Sequence, residues 1–316
     1  MAQDRKEAEA AAKRALRHPN FKELEGSRPS WDSGSADFHY TQTPNPNWKF
    51  GDGVNHTHAQ ASITAATAKH LPIDPYTAER SIIDNYKLLA SAIVPRPIAF
   101  ISTRSHDGNS RNLAPMSFFQ LVNVDPPIFA VAVTSPLSDA KDTLRNLLET
   151  RECVINIVSE GFVEAANATS INAPYGVSEW DISGLTAVYD CRTVRCPRVK
   201  ESVFSIEAKL ESVREFTSRL NPGTKSGSLE LVEASFFWAR EDAINDDGNL
   251  LDISVLRPIS RLGGISFGRT GQAIELLRPD FDGDLGGMEG YQKLKETKSH
   301  GKGQEVPSAS ASKVSP

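Results

Sequence analysis

Lys141, Asp142 and Thr143 stand where the sequence predicts the start of a helix, and their types suit the binding of a phosphate group. The first turn of a helix has free backbone N–H groups and the positive end of the helix dipole. A lysine and a threonine hydroxyl placed there would add charge-assisted hydrogen bonds. The same pattern is also an ordinary helix start with Asp142 or Ser138 as the N-cap, so these residues alone leave both interpretations open.

A second segment, Arg111 to Pro127 (RNLAPMSFFQLVNVDPP), has an unusual composition for a strand. It begins with an amide side chain, Asn112, and small residues. Pro115 cannot donate a hydrogen bond to a neighbouring strand. The hydroxyl of Ser117 then precedes two phenylalanines. Such a stretch fits either a simple bend in a strand or a wall against which a flat ligand with a polar edge lies.

Other candidate groups carry weaker signals. His56 and His58 have no cysteine or carboxylate partner at metal-ligand spacing, so we predict a solvated loop and no metal site. Ser117 is not part of a GxSxG motif, and the sequence identifies no catalytic acid, base or nucleophile. No GxGxxG motif follows a predicted strand, so a nicotinamide nucleotide would have to bind without a Rossmann domain.

The elements that must position these residues are mostly strands. Apolar or alternating runs predict strands over residues 97–103, 111–124, 128–134, 153–159, 202–216 and 228–240. Short helices are predicted over 138–151 and 160–170. Antiparallel strands interrupted by two short helices predict a mainly β fold, a closed or half-closed barrel and not a parallel βαβ sheet.

We predict three consecutive segments. Residues 1–80 read as an N-terminal extension, with a helix over 4–18 and a loop-rich stretch of isolated aromatic residues. Residues 81–281 carry the barrel. Residues 282–316 are polar and are predicted to be a disordered tail.

The composition narrows the class of protein. The chain has 316 residues, and 35 Lys and Arg against 40 Asp and Glu give a net charge of −5, which does not favour nucleic-acid or membrane-surface binding. It has no run of 18 apolar residues and no signal-peptide core. Cys153, Cys191 and Cys196 form no CxxC motif, which indicates reduced thiols and a cytoplasmic protein.

The segments RPIAFIST, NLAPMSFF, DPP, KDTLRN and RLGG (Arg261 to Gly264) are each weak signals, but they occur together in a familiar order and spacing. In this the chain resembles the flavin reductase-like, FMN-binding split-barrel family from about Tyr86 to Phe267. The segment NPNWKFGDGVN and the polar tail lie outside that range and resemble extensions of fungal members. The resemblance implies a split β-barrel of Greek-key type with a few short helices and with FMN as its cofactor.

It also implies roles for particular residues. The isoalloxazine ring would lie against the NLAP strand, with main-chain groups of Asn112, Leu113 and Ala114 reading its polar edge. The hydroxyls of Ser117 and Thr103 would face the ribityl-phosphate. The predicted cofactor-binding residues are Thr103, Asn112, Leu113, Ala114, Pro115, Ser117, Lys141, Asp142, Thr143 and Gly264.

Some of these roles remain open. Lys141 and Thr143 match the phosphate side, and Asp142 is expected to be a cap or a ribityl contact. Gly264 either lets the backbone approach the cofactor or the partner subunit, or forms a plain turn. Trp180 either lies on a loop that covers the flavin or packs in the interior.

The function implied by the resemblance is an FMN-dependent oxidoreductase that passes a hydride from NADH or NADPH to flavin or another acceptor. A homodimer is expected, since the family builds its flavin site across a two-fold interface. One alternative is a non-catalytic FMN-binding electron carrier. Another is an FMN enzyme with a dedicated organic substrate, in which residues 1–80 narrow the site. A further alternative is a protein that binds no flavin and uses the fold only as an interaction scaffold.

Overall fold

The structure, a computed structural model, describes residues 21–31, 37–54 and 68–301. The helix predicted over 4–18 and the pair His56 and His58 lie outside the described residues. The described residues of Met1–Phe38 and Ile73–Gly271 form one compact unit, and those of His39–Pro72 and Gln272–Pro316 form another. The division predicted at residues 80 and 281 stays a prediction. None of the described helices combines the length and the apolar character that a membrane span requires.

Strands dominate the described chain, as predicted for a mainly β fold. In chain order they are β1 (His39–Thr41), β2 (Ala99–Arg104), β3 (Arg111–Met116), β4 (Phe119–Val124), β5 (Pro127–Val133), β6 (Glu152–Ile157), β7 (Ala187–Val188), β8 (Arg198–Val199), β9 (Phe204–Thr217), β10 (Lys225–Ala239), β11 (Ile259–Arg261), β12 (Phe267–Arg269) and β13 (Gln272–Ile274). Within the described residues of the first unit, seven strands form one antiparallel sheet in the order β3-β2-β6-β9-β10-β5-β4.

The helices are short. They are α1 (Phe21–Gly26), α2 (Ile82–Ala92), α3 (Asp142–Thr150), α4 (Val163–Ala168), α5 (Glu179–Ser183), α6 (Ile253–Leu256) and α7 (Gly287–Gly301), with 3₁₀ turns at Leu137–Asp139 and Glu160–Phe162. The predicted helices over 138–151 and 160–170 therefore each consist of a 3₁₀ turn followed by a shorter α-helix.

The segment 111–124, which the sequence analysis treated as one return strand, forms two strands at opposite ends of the sheet, so that prediction is wrong. Strand β3 pairs with β2, and β4 pairs with β5. Ser117 and Phe118 connect them, and the Phe118 carbonyl accepts a hydrogen bond from the Ala132 N–H at 2.8 Å. Strands β3 and β4 do not pair with each other, so the sheet remains split between its two end strands.

Two apolar clusters hold the sheet. Adjacent residues of β2 belong to different clusters, because side chains alternate across a strand. The first cluster lies on one face of the sheet and includes Ile101, Val131, Leu147, Ile155, Ile206 and Val232. The second lies on the other face of β2 and β3 and includes Phe100, Leu113, Phe162, Trp180 and Ile259. Helix α3 thus packs on one cluster through Leu147, while α5 packs on the other through Trp180.

Arg96, just before β2, connects two distant parts of the first unit. Its guanidinium is buried and donates hydrogen bonds from Nη1 to the Ala90 carbonyl at 2.5 Å and the Ile93 carbonyl at 2.7 Å, at the end of α2. Its Nη2 donates to the Leu262 carbonyl at 3.0 Å. Since the last carbonyls of a helix lack partners within the helix, Arg96 completes α2 and joins it to the segment after β11.

In the second unit, β1 pairs in parallel with β13, with His39 opposite Gln272. Helix α7 lies where the sequence analysis predicted only a disordered tail. One i,i+4 ion pair on this helix joins Lys293 to Glu289 at 2.7 Å. Residues 302–316 of the predicted tail lie outside the described residues.

Glu207 on β9 is fully buried and fixes the segment around Arg192 and Thr193 to the sheet. Its Oε1 accepts hydrogen bonds from the Arg192 N–H at 2.8 Å and the Trp238 Nε1–H at 2.7 Å. Its Oε2 accepts from the N–H and the hydroxyl of Thr193, both at 2.6 Å. Burial alone would raise the pKa of Glu207, but the hydrogen bonds from Thr193 and Trp238 outweigh it and the pKa lies below its ordinary value.

We expect Glu207→Gln to lower the free energy of unfolding by about 2–4 kcal/mol at neutral pH, because the new NH₂ group cannot accept from two of the buried donors. The deficit should shrink in acid, since a carboxyl group whose pKa is lowered by folding stabilises the protein above its unfolded pKa and loses that effect as the pH falls. Urea unfolding at several pH values measures both. Glu233→Gln, at an exposed position of β10, is the control and should change stability by less than about 0.5 kcal/mol. Equal urea midpoints for Glu207→Gln and the unmodified protein would show that the Glu207 carboxylate does not stabilise the fold as argued.

Candidate functional site

A cavity of about 350 Å³ lies at the split in the sheet. One wall is β3 from Ala114 onward with Ser117 and Phe118, and a second is the end of β5, residues 132–134. The start of α3, residues 141–144, and the loop 169–173 complete it, together with Asn112, Tyr86 and Glu179. Its volume is within the range of small-molecule sites, which is roughly 300–1,000 Å³.

The structure brings most of the predicted cofactor-binding residues together at this cavity. Those that line it are Asn112, Ala114, Pro115, Ser117, Lys141, Asp142 and Thr143. They come from β3, from the connection after it, and from the start of α3. Segments that are about 25 residues apart in the sequence therefore share one surface.

Thr103 and Leu113 lie behind the cavity wall. Thr103 is fully buried, and its hydroxyl oxygen accepts a hydrogen bond from the Asn146 Nδ2 at 3.3 Å. The Leu113 side chain is also fully buried and belongs to the second apolar cluster, beside Trp180. Both residues support the wall from behind.

Gly264 does not line the cavity. It lies in the turn between β11 and β12, has a φ of +60°, and its carbonyl accepts a hydrogen bond from the Arg261 Nη2 at 2.8 Å. The preceding Gly263 allows this turn to approach α2, because a Cβ atom there would lie 3.1 Å from the Ser91 Cα. Within this chain the RLGG segment therefore forms a turn packed on α2, the plainer of the two interpretations left open by the sequence.

On the edge of β3 that faces away from β2, one backbone N–H group already has a hydrogen-bond partner within the chain. The Leu113 N–H points away from β2 and donates to the Glu179 Oε2 at 3.4 Å. Because successive N–H groups of a strand point to opposite edges, the amides of Asn112 and Ala114 face β2, and the missing N–H of Pro115 falls on the outer edge. Pro115 therefore interrupts no hydrogen bond of the β2–β3 ladder. The N–H groups of the NLAP stretch are therefore used within the fold.

A buried hydrogen-bond network joins three elements at the cavity. Asn112 of β3 donates from Nδ2 to the Glu179 Oε2 of α5 at 2.9 Å. Its Oδ1 accepts from the Thr143 hydroxyl of α3 at 2.5 Å. All three side chains are at least nine-tenths buried. The amide of Asn112 can satisfy both contacts in one orientation only, so the network fixes that side chain.

The start of α3 differs from the predicted one. Lys141 is the N-cap residue, with extended φ and ψ of −72° and 167°, and Asp142 is the first residue of the helix. The prediction that Asp142 or Ser138 caps the helix is therefore wrong, because residues 137–139 form a separate 3₁₀ turn that ends before Lys141. The Lys141 side chain does not cap the helix, so it offers no acceptor to the first-turn N–H groups.

Two carboxyl groups of the cavity have raised pKa values. Burial raises the pKa of Asp142, and the guanidinium of Arg145 partly offsets this effect. Burial also raises the pKa of Glu179, the hydrogen bonds from Leu113 and Asn112 oppose it, and the charge of Asp142 adds to the rise. The cavity thus combines two acids that ionise less readily than usual with an exposed lysine, Lys141.

Sequence reasoning missed Glu179, Tyr86 and the loop 169–173. Glu179 directly precedes Trp180, which was singled out, but a lone glutamate has no spacing signal that marks it as part of a site. Trp180 itself is only 3% exposed and packs in the second apolar cluster, so of the two alternatives the interior one is correct.

The loop that follows α4 is held close to α3 by an aromatic contact. The guanidinium of Arg145 lies 4.4 Å from the ring centroid of Tyr175, and the Tyr175 hydroxyl donates to the Asn146 Oδ1 at 3.4 Å. These contacts keep the loop beside the cavity. In the part of the chain that the structure describes, no group of three or more His, Cys, Asp or Glu side chains could hold a metal ion.

Comparison with known proteins gives a family match. A family model described as a flavin reductase like domain matches residues 91–238. The structure of nitrilotriacetate monooxygenase component B from Bacillus cereus is 33% identical, with a TM-score of 0.61 over 66% of this chain and 100% of that one. For 2-nitrobenzoate 2-nitroreductase NbaA from Pseudomonas fluorescens the identity is 27% and the TM-score 0.58, over 67% and 98% of the two chains. A protein with a split barrel domain from Shewanella frigidimarina shares 21% identity and a TM-score of 0.54, over 68% and 100%.

The network can be tested through Thr143, which is 4% exposed. We expect Thr143→Val to lower the free energy of unfolding by about 1–3 kcal/mol, because the Asn112 Oδ1 would lose its donor in a buried position. Thr143→Ser keeps the hydroxyl and should cost clearly less. Urea unfolding of the three proteins side by side measures the difference. If the valine variant is as stable as the serine variant, the hydrogen bond does not contribute as argued.

Proposed function

Since the chain belongs to the flavin reductase-like family and has its split-barrel fold, we propose that it is an FMN-dependent oxidoreductase. In this proposal it takes a hydride from NADH or NADPH and passes it to flavin or to another acceptor. The observation that carries the proposal is the cavity at which β3, the end of β5 and the start of α3 meet. A second cavity, lined by residues of 137–140 and 145–149, includes neither β3 nor β5.

The wall formed by β3 and β5 fits a flat ring. Ala114, Pro115 and Ala132 line it, and their small side chains allow close approach of a planar ligand to the backbone. Phe118 and Tyr86 add aromatic surface at the same cavity. An isoalloxazine has a broad apolar face and a polar edge, so this combination suits it.

The start of α3 fits a phosphate group. The first-turn N–H groups, the positive end of the helix dipole and the ammonium group of Lys141 lie together. Ser117 offers a hydroxyl on the opposite wall. The donor set therefore fits FMN, whose terminal phosphate would lie at α3. Asp142, beside this helix start, is half-buried, and burial raises the pKa of its carboxyl group.

In this function the chain's own residues bind and orient. Flavin, when bound, supplies the hydride acceptor at N5. The walls of β3 and β5 would hold the ring, α3 would anchor the phosphate, and the loop 169–173 would limit access of water. Hydride transfer requires no acid or base from the protein, and we assign no catalytic residue.

A dedicated organic substrate is the second candidate, and the likeness to a 2-nitrobenzoate 2-nitroreductase favours it. Tyr86, Phe118 and Ile171 give the cavity an apolar and aromatic portion that suits an aromatic acceptor. NADH oxidation with 2-nitrobenzoate as the probe, compared with free flavin as the acceptor, separates the two candidates. Faster turnover with the nitroaromatic probe would favour the dedicated-substrate enzyme.

We also propose a homodimer. Helix α2 and its C-cap residue have a row of apolar side chains at positions i, i+4, i+7 and i+11, namely Ile82, Tyr86, Leu89 and Ile93, which are 53%, 44%, 57% and 61% exposed. Ala90 is the buried residue of this helix. Strand β4, at the edge of the sheet, exposes Leu121, Val122 and Val124. A second copy is our proposed cover for these surfaces, and since Tyr86 also lines the cavity, the interface would adjoin the site.

A cytoplasmic location is part of the proposal. Cys153, Cys191 and Cys196 are free thiols, and burial raises the pKa of the first two to about 12. Protonated thiols without a disulfide framework suit a reducing compartment.

The proposal is tested first by flavin spectroscopy. Purified protein with added FMN should show a perturbed visible flavin spectrum, and anaerobic NADH or NADPH should bleach it at a catalytic rate. The faster donor identifies the nicotinamide preference. Tight binding without bleaching would instead indicate an electron carrier, and no binding of FMN would overturn the proposal.

Lys141→Ala tests the phosphate site. We expect FMN affinity to fall about 10- to 100-fold, the loss of one charge-assisted hydrogen bond of roughly 1.5–3 kcal/mol, while riboflavin affinity is unchanged because riboflavin has no phosphate. Flavin fluorescence titrations measure both ligands. Lys209→Ala, at an exposed position of β9, is the matched control. Equal losses for the two ligands would show that Lys141 does not bind the phosphate.

Leu89→Glu tests the dimer. Size-exclusion chromatography with light scattering should give twice the chain mass for the unmodified protein and the single chain mass for Leu89→Glu, because a carboxylate cannot be buried unpaired in an apolar interface. Lys87→Glu places the same new charge on the opposite side of α2 and should remain dimeric. A monomeric unmodified protein at micromolar concentration would refute the homodimer.

A further inference from the structure

Glu179 is the acidic side chain most closely built into the cavity. It is 4% exposed, begins α5, and lies at the cavity wall. Its Oε2 accepts hydrogen bonds from the Asn112 Nδ2 at 2.9 Å and from the Leu113 N–H at 3.4 Å. Both donors belong to β3, the strand proposed to carry the ring.

The partners of Glu179 give it two separate effects. As an acceptor, it orients the Asn112 amide, whose Oδ1 then receives the Thr143 hydroxyl. As a carboxyl group, it brings a negative charge to the cavity when ionised. A glutamine in the same place would retain one acceptor oxygen and remove the charge, so the two effects can be separated by experiment.

The charged and titratable groups around Glu179 do not neutralise it. Asp142 of α3 acts on it as a second negative charge. Within the described ranges no ion pair includes Glu179; the charged residues on its packing neighbours are Arg111 of β3, which contacts the Tyr189 hydroxyl, and the exposed Glu164 of α4. On its own helix Asp181 is exposed, and the cavity also holds Lys141 and Tyr86.

This charge matters because of what the proposed reaction adds to the cavity. Transfer of a hydride oxidises the nicotinamide and places two electrons and one proton on the flavin, which leaves the reduced flavin with one more negative charge unless it takes up another proton. A carboxylate nearby disfavours that charge, and a neutral group in its place does not. Charge near the flavin ring is one of the means by which a protein tunes its electronics.

Resting on the proposed function, we propose that Glu179 is a positioning residue for β3 whose charge also weakens the binding of reduced flavin relative to oxidised flavin, making the reduction potential of the bound cofactor more negative at high pH. Its acceptor oxygen holds Asn112 and the β3 backbone in place. Its ionisation sets the balance between the two redox states. The residue itself transfers no proton or hydride.

The pH dependence follows from the environment already described. Burial, with a contribution from Asp142, raises the pKa of Glu179. The effect on the potential should be complete where the carboxyl group is ionised and should shrink as the pH falls and the group takes up a proton.

The test is Glu179→Gln in the full chain with FMN bound. The reduction potential is measured by anaerobic equilibration with a reference dye at pH 8, and the affinity for oxidised FMN is measured separately. At pH 8 we expect the affinity ratio of reduced to oxidised flavin to rise at least about tenfold, which is about 30 mV for a two-electron couple. Repeating the measurement at successively lower pH should show the difference from the unmodified protein shrinking as the carboxyl group takes up a proton.

Two further variants make the test specific. Glu164→Gln, at an exposed position of α4, removes a charge away from the cavity and should leave the potential unchanged. Glu179→Ala also removes the hydrogen-bond acceptor for Asn112 and Leu113, so it should weaken the binding of oxidised FMN more than Glu179→Gln does. An unchanged potential in Glu179→Gln at pH 8 overturns the inference while the flavin function stands. Failure of the unmodified protein to bind FMN overturns the function and the inference together.

Discussion

Strand β3 pairs with β2 on one edge, and on its other edge Pro115 has no N–H to donate while the N–H of Leu113 is bonded to Glu179. A further strand cannot form a regular ladder on such an edge. The chain therefore leaves the sheet at Ser117 and re-enters it at the opposite end as β4. The sheet is thus split between β3 and β4, and the cavity at this split is lined by β3 and the end of β5. One proline and one buried carboxylate thus keep the barrel open at the place where a ligand can enter.

Helix α3 connects this gap to the core. Leu144 and Leu147 are buried, which orients the helix, and polar groups on the same short helix face the sheet. The Thr143 hydroxyl donates to Asn112, and the Asn146 amide donates to Thr103. Burial of apolar side chains supplies the stabilisation, while the two hydrogen bonds fix the helix start relative to β3. The geometry of the proposed phosphate site is therefore a consequence of core packing.

Much of the fold could be predicted because strands and helices are encoded locally. The apolar run predicted as a strand over 153–159 is β6 at Glu152–Ile157, and the alternation over 202–216 is β9 at Phe204–Thr217. The place of a strand in the sheet is not local. Nothing in the run from Arg111 to Val124 tells that its halves lie at opposite ends, since that depends on which strands offer a free edge.

The candidate site was predictable to a similar extent. Asn112 and Thr143 were identified by residue type and motif, and the structure brings them within hydrogen-bonding distance. Glu179 was missed because its partner Asn112 is 67 positions away and a single glutamate carries no periodic signal. Thr103 has the right chemistry, but full burial behind the wall places it in the supporting layer.

Arg96 has a consequence for the order in which the protein forms. Two of its acceptors, the carbonyls of Ala90 and Ile93, precede it closely, but the third, at Leu262, follows 166 residues later. During synthesis, the buried surroundings of the Arg96 guanidinium are complete only after almost the whole first unit has left the ribosome. The hydrogen bonds at the end of α2 are therefore completed late in synthesis, and a nascent chain that stops before Leu262 would leave this cation without one of its three acceptors.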